Sequence, residues 1–332
     1  MAWQRQREQD FLHQSPYTLE QWVVSNLQPT EAFNQCSKDV VDRLINFLQH
    51  NTPYSVNRVI KSGSFGKGTQ IKGHADLDCV MILNDLRNVE GVKRRLRGIL
   101  QDLARLLRQS NWATTIDIEK TTRFAVQFDV TVTGYEKLSV DLLPTFDLFG
   151  QTPSLGMKEH VFSRMMTSVK GDDPQYYSAA ASELQVEFIR KQPAKVKNLI
   201  RLVKHWRKSV VLPQARGGMY PTSYPMELVT IHVWEKSGRP HDFNMAVAFK
   251  AVLNQMANYH ALNVVWYEHY TKPTADQAMR YMDRPILLDP ANPTNNVIRA
   301  SSPGTWDHVA RIAGDSMRKP LLQIVHISPT LR

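Results

Sequence analysis

Hydrophobic residues recur with helical spacing in several parts of the chain. In residues 90–109 the apolar positions share one face of a helix, and basic side chains occupy the other face. Residues 17–50 contain two more helical patterns. From about residue 155 onwards helical patterns dominate, and we predict helices over residues 157–170, 176–191, 194–210, 224–236 and 242–258.

Short β-prone runs are confined to the first half of the chain. They occupy residues 55–61, 77–83, 123–132 and 138–143, the last two joined at Gly134 and Tyr135. Strands followed by helices predict an α+β protein, in which an α/β lobe precedes a mainly helical lobe. We therefore divide the chain into a mobile tail (1–16), an α/β lobe (17–155) and a helical lobe (156–332).

The chain is strongly basic. Its 332 residues include 41 Lys or Arg and 31 Asp or Glu, a formal net charge of +10. Such an excess favours nucleic acids, nucleotides or acidic membrane surfaces as partners. Two cysteines are too few for a disulfide framework, and no apolar run approaches the ~20 residues that span a bilayer. The N-terminus does not resemble a secretory signal, so we expect a cytoplasmic protein with no membrane association.

A glycine-rich segment, residues 63–68 (GSFGKG), follows the first predicted strand. Glycines allow backbone N–H groups to approach phosphate oxygens without hindrance from Cβ atoms. The spacing before Lys67 differs from that of a P-loop. Taken alone, the segment is also what an ordinary tight turn would contain.

Two aspartates close to this segment indicate metal chemistry. Residues i and i+2 of a strand face the same side, so Asp76 and Asp78 would place two carboxylates together at a strand start. Like charges this close are costly without a cation between them, and Mg²⁺ prefers oxygen ligands. A solvated surface pair is the alternative, and the neighbouring glycine-rich segment argues against it.

A two-metal site needs a further carboxylate from another strand. Asp141 lies in the strand predicted at 138–143, where a buried charge is unexpected. Asp129, in the preceding strand, competes with it. Sequence spacing alone leaves both candidates open.

The helix predicted over residues 194–210 carries a basic stripe. Lys197, Arg201, Lys204 and Lys208 step by 4, 3 and 4 positions, and no acidic residue of this helix lies at i±4 from them. A solvated face is the ordinary interpretation. Phosphate groups of a nucleotide or of RNA would also neutralise the stripe.

Five sequence blocks together resemble the 2′-5′-oligoadenylate synthase family. They are GSFGKGT…HADLDCVMIL, VDLLPTFDLFGQ, KVKNLIRLVKHW, SYPMELVTIHVWE and ILLDPANPTNNV, in family order between about residues 17 and 325. The resemblance implies a polymerase-β-like nucleotidyltransferase lobe with a central mixed sheet, followed by a helical lobe. It also selects Asp141 over Asp129 as the third metal ligand.

The reaction that the resemblance implies is the polymerisation of ATP into 2′-5′-linked oligoadenylates, with release of pyrophosphate, in antiviral innate immune signalling. Asp76, Asp78 and Asp141 would be catalytic and would hold two Mg²⁺ ions. The implied nucleotide contacts are Gly63, Ser64, Lys67, Arg201, Lys204, Ser223 and Tyr224. Ser223 stands where the family commonly has Gln, which leaves base preference and product linkage open.

Double-stranded RNA is the implied activator, with Lys61, Lys67, Arg190 and Lys191 as candidate contacts. Val186 and Ala194 stand where the family often has polar or basic residues, so the requirement for RNA could be weakened. The Cys-Phe-Lys oligomerisation motif of some members is absent, and we predict a monomer.

Two alternatives compete with this function. The Ser223-Tyr224 pair resembles cyclic GMP-AMP synthase-like receptors, which make cyclic dinucleotides, although the zinc insertion of the vertebrate enzymes is missing. A catalytically inactive RNA-binding relative is the other, and the presence of all three aspartates argues against it.

Overall fold

The computed structural model describes residues 10–73, 76–132, 137–168 and 173–332. The predicted turn at Gly134 and Tyr135, and residues 1–9 of the predicted tail, lie outside the described residues. The first part of the chain contains α1 (Leu19–Leu27), α2 (Glu31–Asn51), β1 (Val56–Lys61), α3 (Gly63–Lys67), β2 (Asp76–Leu83), α4 (Val89–Arg108), β3 (Thr115–Thr121), β4 (Val126–Thr131) and β5 (Leu138–Thr145).

The second part is mainly helical. Its helices are α5 (Leu155–Ser168), α6 (Asp173–Ala180), α7 (Ser182–Arg190), α8 (Ala194–Trp206), α9 (Ser223–Lys236), α10 (Met245–Ala257), α11 (Lys272–Met279), α12 (Thr305–Met317) and α13 (Pro320–Gln323). Three short strands, β6 (Asn263–Val264), β7 (Ile286–Asp289) and β8 (Asn292–Asn296), form a second sheet. The helix predicted over 176–191 is two helices, α6 and α7, which meet at the buried Ala181.

The five-stranded sheet has the order β1-β2-β5-β4-β3. Only β2 and β5 run parallel, and the other neighbours are antiparallel, so the sheet is mixed. The sequence pattern does not predict β3, because residues 115–121 contain only two apolar side chains, Ile116 and Ile118, between polar and charged ones. This strand forms an edge of the sheet, where fewer apolar side chains are needed.

The amphipathic helix α4 covers the sheet and builds the first hydrophobic core. Asn88 caps it by accepting a hydrogen bond from the Gly91 N–H at 2.8 Å. Its Leu and Ile side chains at positions 96, 99, 100, 103 and 107 pack with Val126, Phe128 and Val140 of the sheet. Each such side chain contributes about 1.5–3 kcal/mol to folding, so the helix stabilises the packing of β4 and β5.

A second core joins α8, α9, α10 and α12 to the N-terminal residues. Phe11 is 0% exposed and stacks on Trp22 of α1, with ring centroids 5.7 Å apart. The mobile tail predicted for residues 1–16 is therefore wrong at Asp10–His13, which form a 3-10 helix. Two adjacent apolar residues in a polar stretch, Phe11 and Leu12, anchor that segment in the second core.

The domain boundary near residue 155 stays a prediction. Each of the two hydrophobic cores contains residues from both sides of that position. α1 contributes Leu19 and Val23 to the second core, whereas α6 contributes Tyr176 and Ala180 to the first. Within the described ranges, none of the helices combines the length and apolar character needed to cross a membrane.

Candidate active site and basic groove

The parallel pairing of β2 with β5 brings the predicted carboxylates together. Asp78 is the register partner of Asp141, and Asp76 lies opposite Ser139 on the same face. Asp78 and Asp141 are partly buried, whereas Asp76 is exposed. Burial raises the pKa of the Asp78 carboxyl, and the charges of Asp141 and Asp76 raise it further.

The two competing aspartates, Asp141 and Asp129, have different hydrogen-bond and ion-pair partners. Gln127 lies opposite Asp141 and donates from Nε2 to both of its carboxylate oxygens at 2.9 Å. Asp129 lies opposite Ser139, whose hydroxyl donates to it at 2.7 Å, and Lys137 forms an ion pair with it. Although burial opposes them, Lys137 and Ser139 hold the pKa of Asp129 below its usual value. Asp129 is thus neutralised by a lysine, while Asp141, beside Asp78, forms no ion pair among the described residues.

The glycine-rich segment forms α3, a single helical turn that sits tightly on β1 and β2. The Ser62 N–H donates to the Asp78 carbonyl oxygen at 2.7 Å. Gly63 has φ +55°, and a Cβ there would lie 1.6 Å from Asp78 Oδ2. A Cβ at Gly66 would lie 1.9 Å from the Lys61 carbonyl oxygen. Both glycines are therefore required by close approach, Gly63 to a candidate metal ligand and Gly66 to the backbone.

A buried glutamate of α9 binds two of the predicted nucleotide contacts. Glu227 is 2% exposed, and its carboxylate lies 2.9 Å from Lys67 Nζ and 3.7 Å from Lys204 Nζ. Lys204 also donates to the Thr69 carbonyl oxygen at 3.0 Å. Burial lowers the pKa of Lys204 to about 8, against the opposing charge of Glu227. Glu227 is 160 residues from Lys67 in the chain, so no local sequence pattern predicts this ion pair.

Arg201 likewise binds the chain that follows α3. Its guanidinium donates to the carbonyl oxygens of Gln70 and Gly68, at 2.9 and 2.7 Å, and to Asn198 at 2.7 Å. Burial lowers its pKa to about 10. The basic stripe of α8 is therefore not a uniformly solvated face, because Arg201 and Lys204 fix residues 68–70 by direct hydrogen bonds.

A cleft of about 1170 Å³ opens beside the paired carboxylates. Gly63, Lys67, Asp78, Asp141 and Tyr224 all line it. Lys67 Nζ lies 4.4 Å from the centroid of the Tyr224 ring, within cation–π distance. Four predicted nucleotide contacts are not among the lining residues, namely Ser64, Arg201, Lys204 and Ser223, although Ser223 adjoins Tyr224.

One wall of this cleft is supported by a residue that the sequence analysis missed. Asp289, at the end of β7, is 0% exposed and accepts a hydrogen bond from the Tyr224 hydroxyl at 2.7 Å. Burial raises the pKa of its carboxyl. A charged residue inside the apolar run ILLD was the available signal, since a buried charge requires partners.

A second cavity of about 1080 Å³, the basic groove, lies across α3 from the cleft. Phe65 and Gly66 of α3 line the groove, whereas Gly63 and Lys67 line the cleft. Of the predicted RNA contacts, the groove contains Lys61, Arg190 and Lys191, while Lys67 lies in the cleft instead. Further basic residues of the groove are Lys38, Arg58, Lys158 and Arg201.

Several cations of the groove already have carboxylate partners. Ion pairs join Arg58 to Asp147 and Glu183, Lys61 to Asp42, and Lys191 to Glu187. Lys38, Lys158 and Arg190 form no ion pair within the described parts of the chain. Burial lowers the pKa of Lys158. The groove therefore carries uncompensated positive charge.

The donor chemistry of the cleft fits a divalent cation. Across the described ranges, no three His, Cys, Asp or Glu side chains are already arranged around a metal-sized centre. However, Asp78 and Asp141 line the cleft and offer hard oxygen donors, and Asp76 lies on the same face of the sheet without being a lining residue. The mutual repulsion of the three contributes to the raised pKa of Asp78. A bound Mg²⁺ would relieve that repulsion.

Comparisons with known proteins agree with this architecture. Residues 156–330 match the family model of the C-terminal domain 2 of 2′-5′-oligoadenylate synthetase 1. The chain is 29% identical to 2′-5′-oligoadenylate synthase 1A of Mus musculus, over 90% of this chain and 86% of that protein. It is 30% identical to the inactive 2′-5′-oligoadenylate synthase 1B of Rattus norvegicus, over 91% of this chain and 84% of that protein.

Solved structures show the same fold. CdnC of E. coli MS115-1, in its complex with HORMA-deltaN, superposes with a TM-score of 0.67 at 20% identity, over 96% of this chain and 94% of that one. The structure of the same protein with ATP gives a TM-score of 0.64 at 19% identity. The predicted fold class, a nucleotidyltransferase lobe with a mixed sheet and a mainly helical lobe, is thus confirmed. Taken with the family model and the two curated relatives, these matches place the chain in the 2′-5′-oligoadenylate synthase family.

Proposed function

We propose that the chain is a cytoplasmic, monomeric nucleotidyltransferase that requires Mg²⁺, is activated by double-stranded RNA and polymerises ATP into 2′-5′-linked oligoadenylates with release of pyrophosphate. Its place would be antiviral innate immune signalling. The observation that carries the proposal is the pairing of Asp78 with Asp141 beside a cleft that Lys67 and Tyr224 also line.

The chemistry requires a 2′-hydroxyl to attack the α-phosphorus of a second ATP, so that one phosphoester bond forms and the α–β phosphoanhydride bond breaks. Asp141 is suited to assist removal of the hydroxyl proton, because Gln127 holds it with a neutral donor that leaves its charge uncompensated. Two Mg²⁺ ions held by Asp76, Asp78 and Asp141 would supply Lewis-acid stabilisation of the phosphate charge.

The cleft walls suit a nucleoside triphosphate. The aromatic ring of Tyr224 offers a stacking surface for the base, and Lys67, 4.4 Å from that ring, offers positive charge to the phosphates. The N-terminal N–H groups of α3, at Gly63 and Ser64, would contribute to phosphate binding. Arg201 and Lys204 support this arrangement from behind, since they hold residues 68–70 through hydrogen bonds to carbonyl oxygens.

The basic groove suits an RNA duplex, which proteins recognise largely through phosphate and 2′-hydroxyl contacts. Lys61, Arg190 and Lys191 line it together with Lys158, which forms no ion pair in the described ranges. Because α3 borders both cavities, an RNA that displaces Phe65 and Gly66 would also move Gly63 against Asp78. This shared helical turn supports activation by RNA at a distance from the carboxylates.

One assay tests the proposal against its alternatives. The full chain is incubated with Mg²⁺, ATP and GTP, with and without double-stranded RNA, and the products are digested with linkage-specific nucleases. A linear 2′-5′ ladder that depends on RNA is the expected result. A phosphatase-resistant mixed dinucleotide would replace the proposal with a cyclic-dinucleotide synthase, the possibility that Ser223 raises.

An inactive protein is the remaining alternative, and one relative at 30% identity is itself described as inactive. The presence of Asp76, Asp78 and Asp141 favours activity here. Absence of any product under all conditions, with RNA binding intact, would contradict the proposed reaction and leave an RNA-binding role.

A further inference from the structure

A fully buried carboxylate stands directly behind one wall of the cleft. Asp289 accepts hydrogen bonds from the Tyr224 hydroxyl at 2.7 Å, from Gln185 Nε2 at 2.7 Å and from Asn295 Nδ2 at 3.3 Å. Tyr224, Gln185 and Asn295 all line the cleft, while Asp289 itself is 0% exposed. The backbone N–H of Ala291 is a fourth donor, at 2.9 Å. One carboxylate thus organises three side chains of the wall.

The direction of these hydrogen bonds constrains the two amides. Gln185 and Asn295 both donate to Asp289 from their amide nitrogens, so their carbonyl oxygens point away from it. Within the described residues, neither Gln185 Oε1 nor Asn295 Oδ1 has a hydrogen-bond partner. The wall beside Tyr224 therefore carries two amide oxygens that are free to accept a hydrogen bond from a ligand.

A hydroxyl on the same wall also lacks a partner. Ser182, three residues before Gln185 and on the same face of α7, lines the cleft. It is 7% exposed, and its Oγ is buried without a hydrogen-bond partner in the structure. Ser182 thus adds a hydroxyl to the wall that Gln185 and Asn295 form.

We propose that Asp289 is a positioning residue for base selection, which fixes Gln185 and Asn295 so that their carbonyl oxygens accept N–H groups of the base stacked on Tyr224. The inference rests on the proposed function, because it requires a nucleoside triphosphate in the cleft. The ligand class is a purine that carries an exocyclic amino group at the six position, as adenine does. Hypoxanthine carries an oxygen at that position, so an acceptor of the base would face an amide carbonyl oxygen that is also an acceptor.

The contact between Asp289 and Ala291 allows a simpler role, because the same carboxylate also braces the turn between β7 and β8. A bracing role predicts an equal loss of affinity for every nucleotide. A role in base selection predicts a loss of discrimination between bases, and only this second outcome changes the ratio of two dissociation constants.

The experiment measures equilibrium binding of adenosine and inosine 5′-(α,β-methylene)triphosphates to the full chain with Mg²⁺ by calorimetry. The wild-type protein is expected to prefer the adenine analogue by ~10-fold or more, the scale of one lost hydrogen bond with an acceptor left unpaired. In Asp289→Asn the neighbouring amides can reverse, and the preference is expected to fall to within ~3-fold. Tyr224→Phe removes one donor to Asp289 but leaves both amides held, so it should keep the preference of the wild type.

Two results would overturn the inference: a wild-type protein without base preference, or an Asp289→Asn variant that weakens both analogues equally. Should Asp289→Asn fail to fold, Gln185→Met provides the test, because it keeps side-chain length, removes the acceptor and should weaken only the adenine analogue. Base preference without oligoadenylate synthesis would contradict the proposed function alone. Synthesis with full preference in Asp289→Asn would contradict this inference alone.

Discussion

The cleft and the basic groove lie on opposite sides of one helical turn, and their charges are organised in opposite ways. In the cleft, Asp78 and Asp141 face each other without a cationic hydrogen-bond partner among the described residues. In the groove, Lys158 and Arg190 form no ion pair with any described carboxylate. Of this turn, Gly63 and Lys67 line the cleft, whereas Phe65 and Gly66 line the groove. Each cavity therefore presents unbalanced charge of one sign, ready for a ligand of the other.

The contrast shows where unpaired charge indicates function. Elsewhere in the same sheet and groove, charges are matched within the chain, as Asp129 is by Lys137 and Arg58 by Asp147 and Glu183. A pair matched within the chain is no evidence of a ligand, whereas a partly buried unmatched group costs free energy until a ligand binds. The comparison is therefore tested best by removing an unmatched charge in one variant and a matched charge in a second.

The largest effect is expected at the unmatched aspartate. Asp141→Asn removes the charge beside Asp78 while keeping the shape and one of the two acceptors for Gln127 Nε2. Turnover should fall by roughly 10³-fold or more, the upper range for losing an acid–base group. Steady-state synthesis of oligoadenylates at saturating RNA provides the measurement.

Asp129→Asn is the matched control, on the same face of the sheet. It leaves Lys137 without its partner, so we expect a lower free energy of unfolding. Turnover should stay within about 3-fold of the wild type, because the buried Asp129 is not among the residues that line the cleft. If both variants lose activity equally, the assignment of Asp141 over Asp129 is wrong.

A smaller loss of turnover is expected from a substitution in α3, the helical turn that borders both cavities. In Gly63→Ala the new methyl group would lie 1.6 Å from Asp78 Oδ2, and the positive φ adds backbone strain. Displacement of the carboxylate by about 1 Å should reduce kcat by about 10²-fold. Gly73→Ala is the control, since Gly73 has φ +79° with nothing within 4 Å of its Cβ position. Similar losses in the two variants would mean that strain, not contact with Asp78, determines the result.

The sequence sufficed for the features that local pattern encodes. Spacing alone placed Asp76 and Asp78 on one face of a strand, and helical periodicity predicted α4, which packs on the sheet as expected. The choice between Asp141 and Asp129 was out of reach of spacing, because both lie in strands next to each other. It depends on the register of β2 with β5 and on the position of Lys137, which are tertiary properties.

The partners of the buried charges were equally hidden. Glu227 and Lys67 are 160 residues apart in the chain, and Tyr224 and Asp289 are 65 residues apart. No local pattern links such positions. The sequence predicted Lys67 as both a nucleotide and an RNA contact, and only the three-dimensional arrangement separates it from Lys61, Arg190 and Lys191, which line the other cavity.

On the groove side, the unmatched cations should matter more than the matched ones. The double variant Lys158→Ala/Arg190→Ala should weaken binding of double-stranded RNA by roughly 10-fold and reduce the slope of log K against log salt by about two, one for each lost phosphate contact. Fluorescence anisotropy over a range of salt concentrations measures both quantities. Lys61→Ala/Lys191→Ala removes the cations that already pair with Asp42 and Glu187, and its slope should change less. Equal slopes for the two double variants would show that pairing within the chain does not govern RNA binding.

The smallest predicted effect concerns a histidine of the groove, a residue type absent from the lining of the cleft. Burial, followed by the charge of Lys158, lowers the pKa of His269 to about 4, below its unfolded value near 6.5. Between these values the unfolded chain binds the proton and the folded chain does not, so stability is lost as pH falls from about 6.5 towards 4. Allowing for partial solvent exposure, the share of His269 should be about 1 kcal/mol between pH 7 and 5. Urea unfolding measures the free energy of unfolding at both pH values. Its fall from pH 7 to pH 5 should be smaller by that amount in His269→Gln than in the wild type, and His326→Gln, at an exposed histidine, is the control. If that fall in the free energy of unfolding is the same in His269→Gln as in the wild type, His269 is protonated in the folded protein without a cost in stability. The groove would then gain a positive charge in acid, whereas the cleft has no histidine in its lining that could do so.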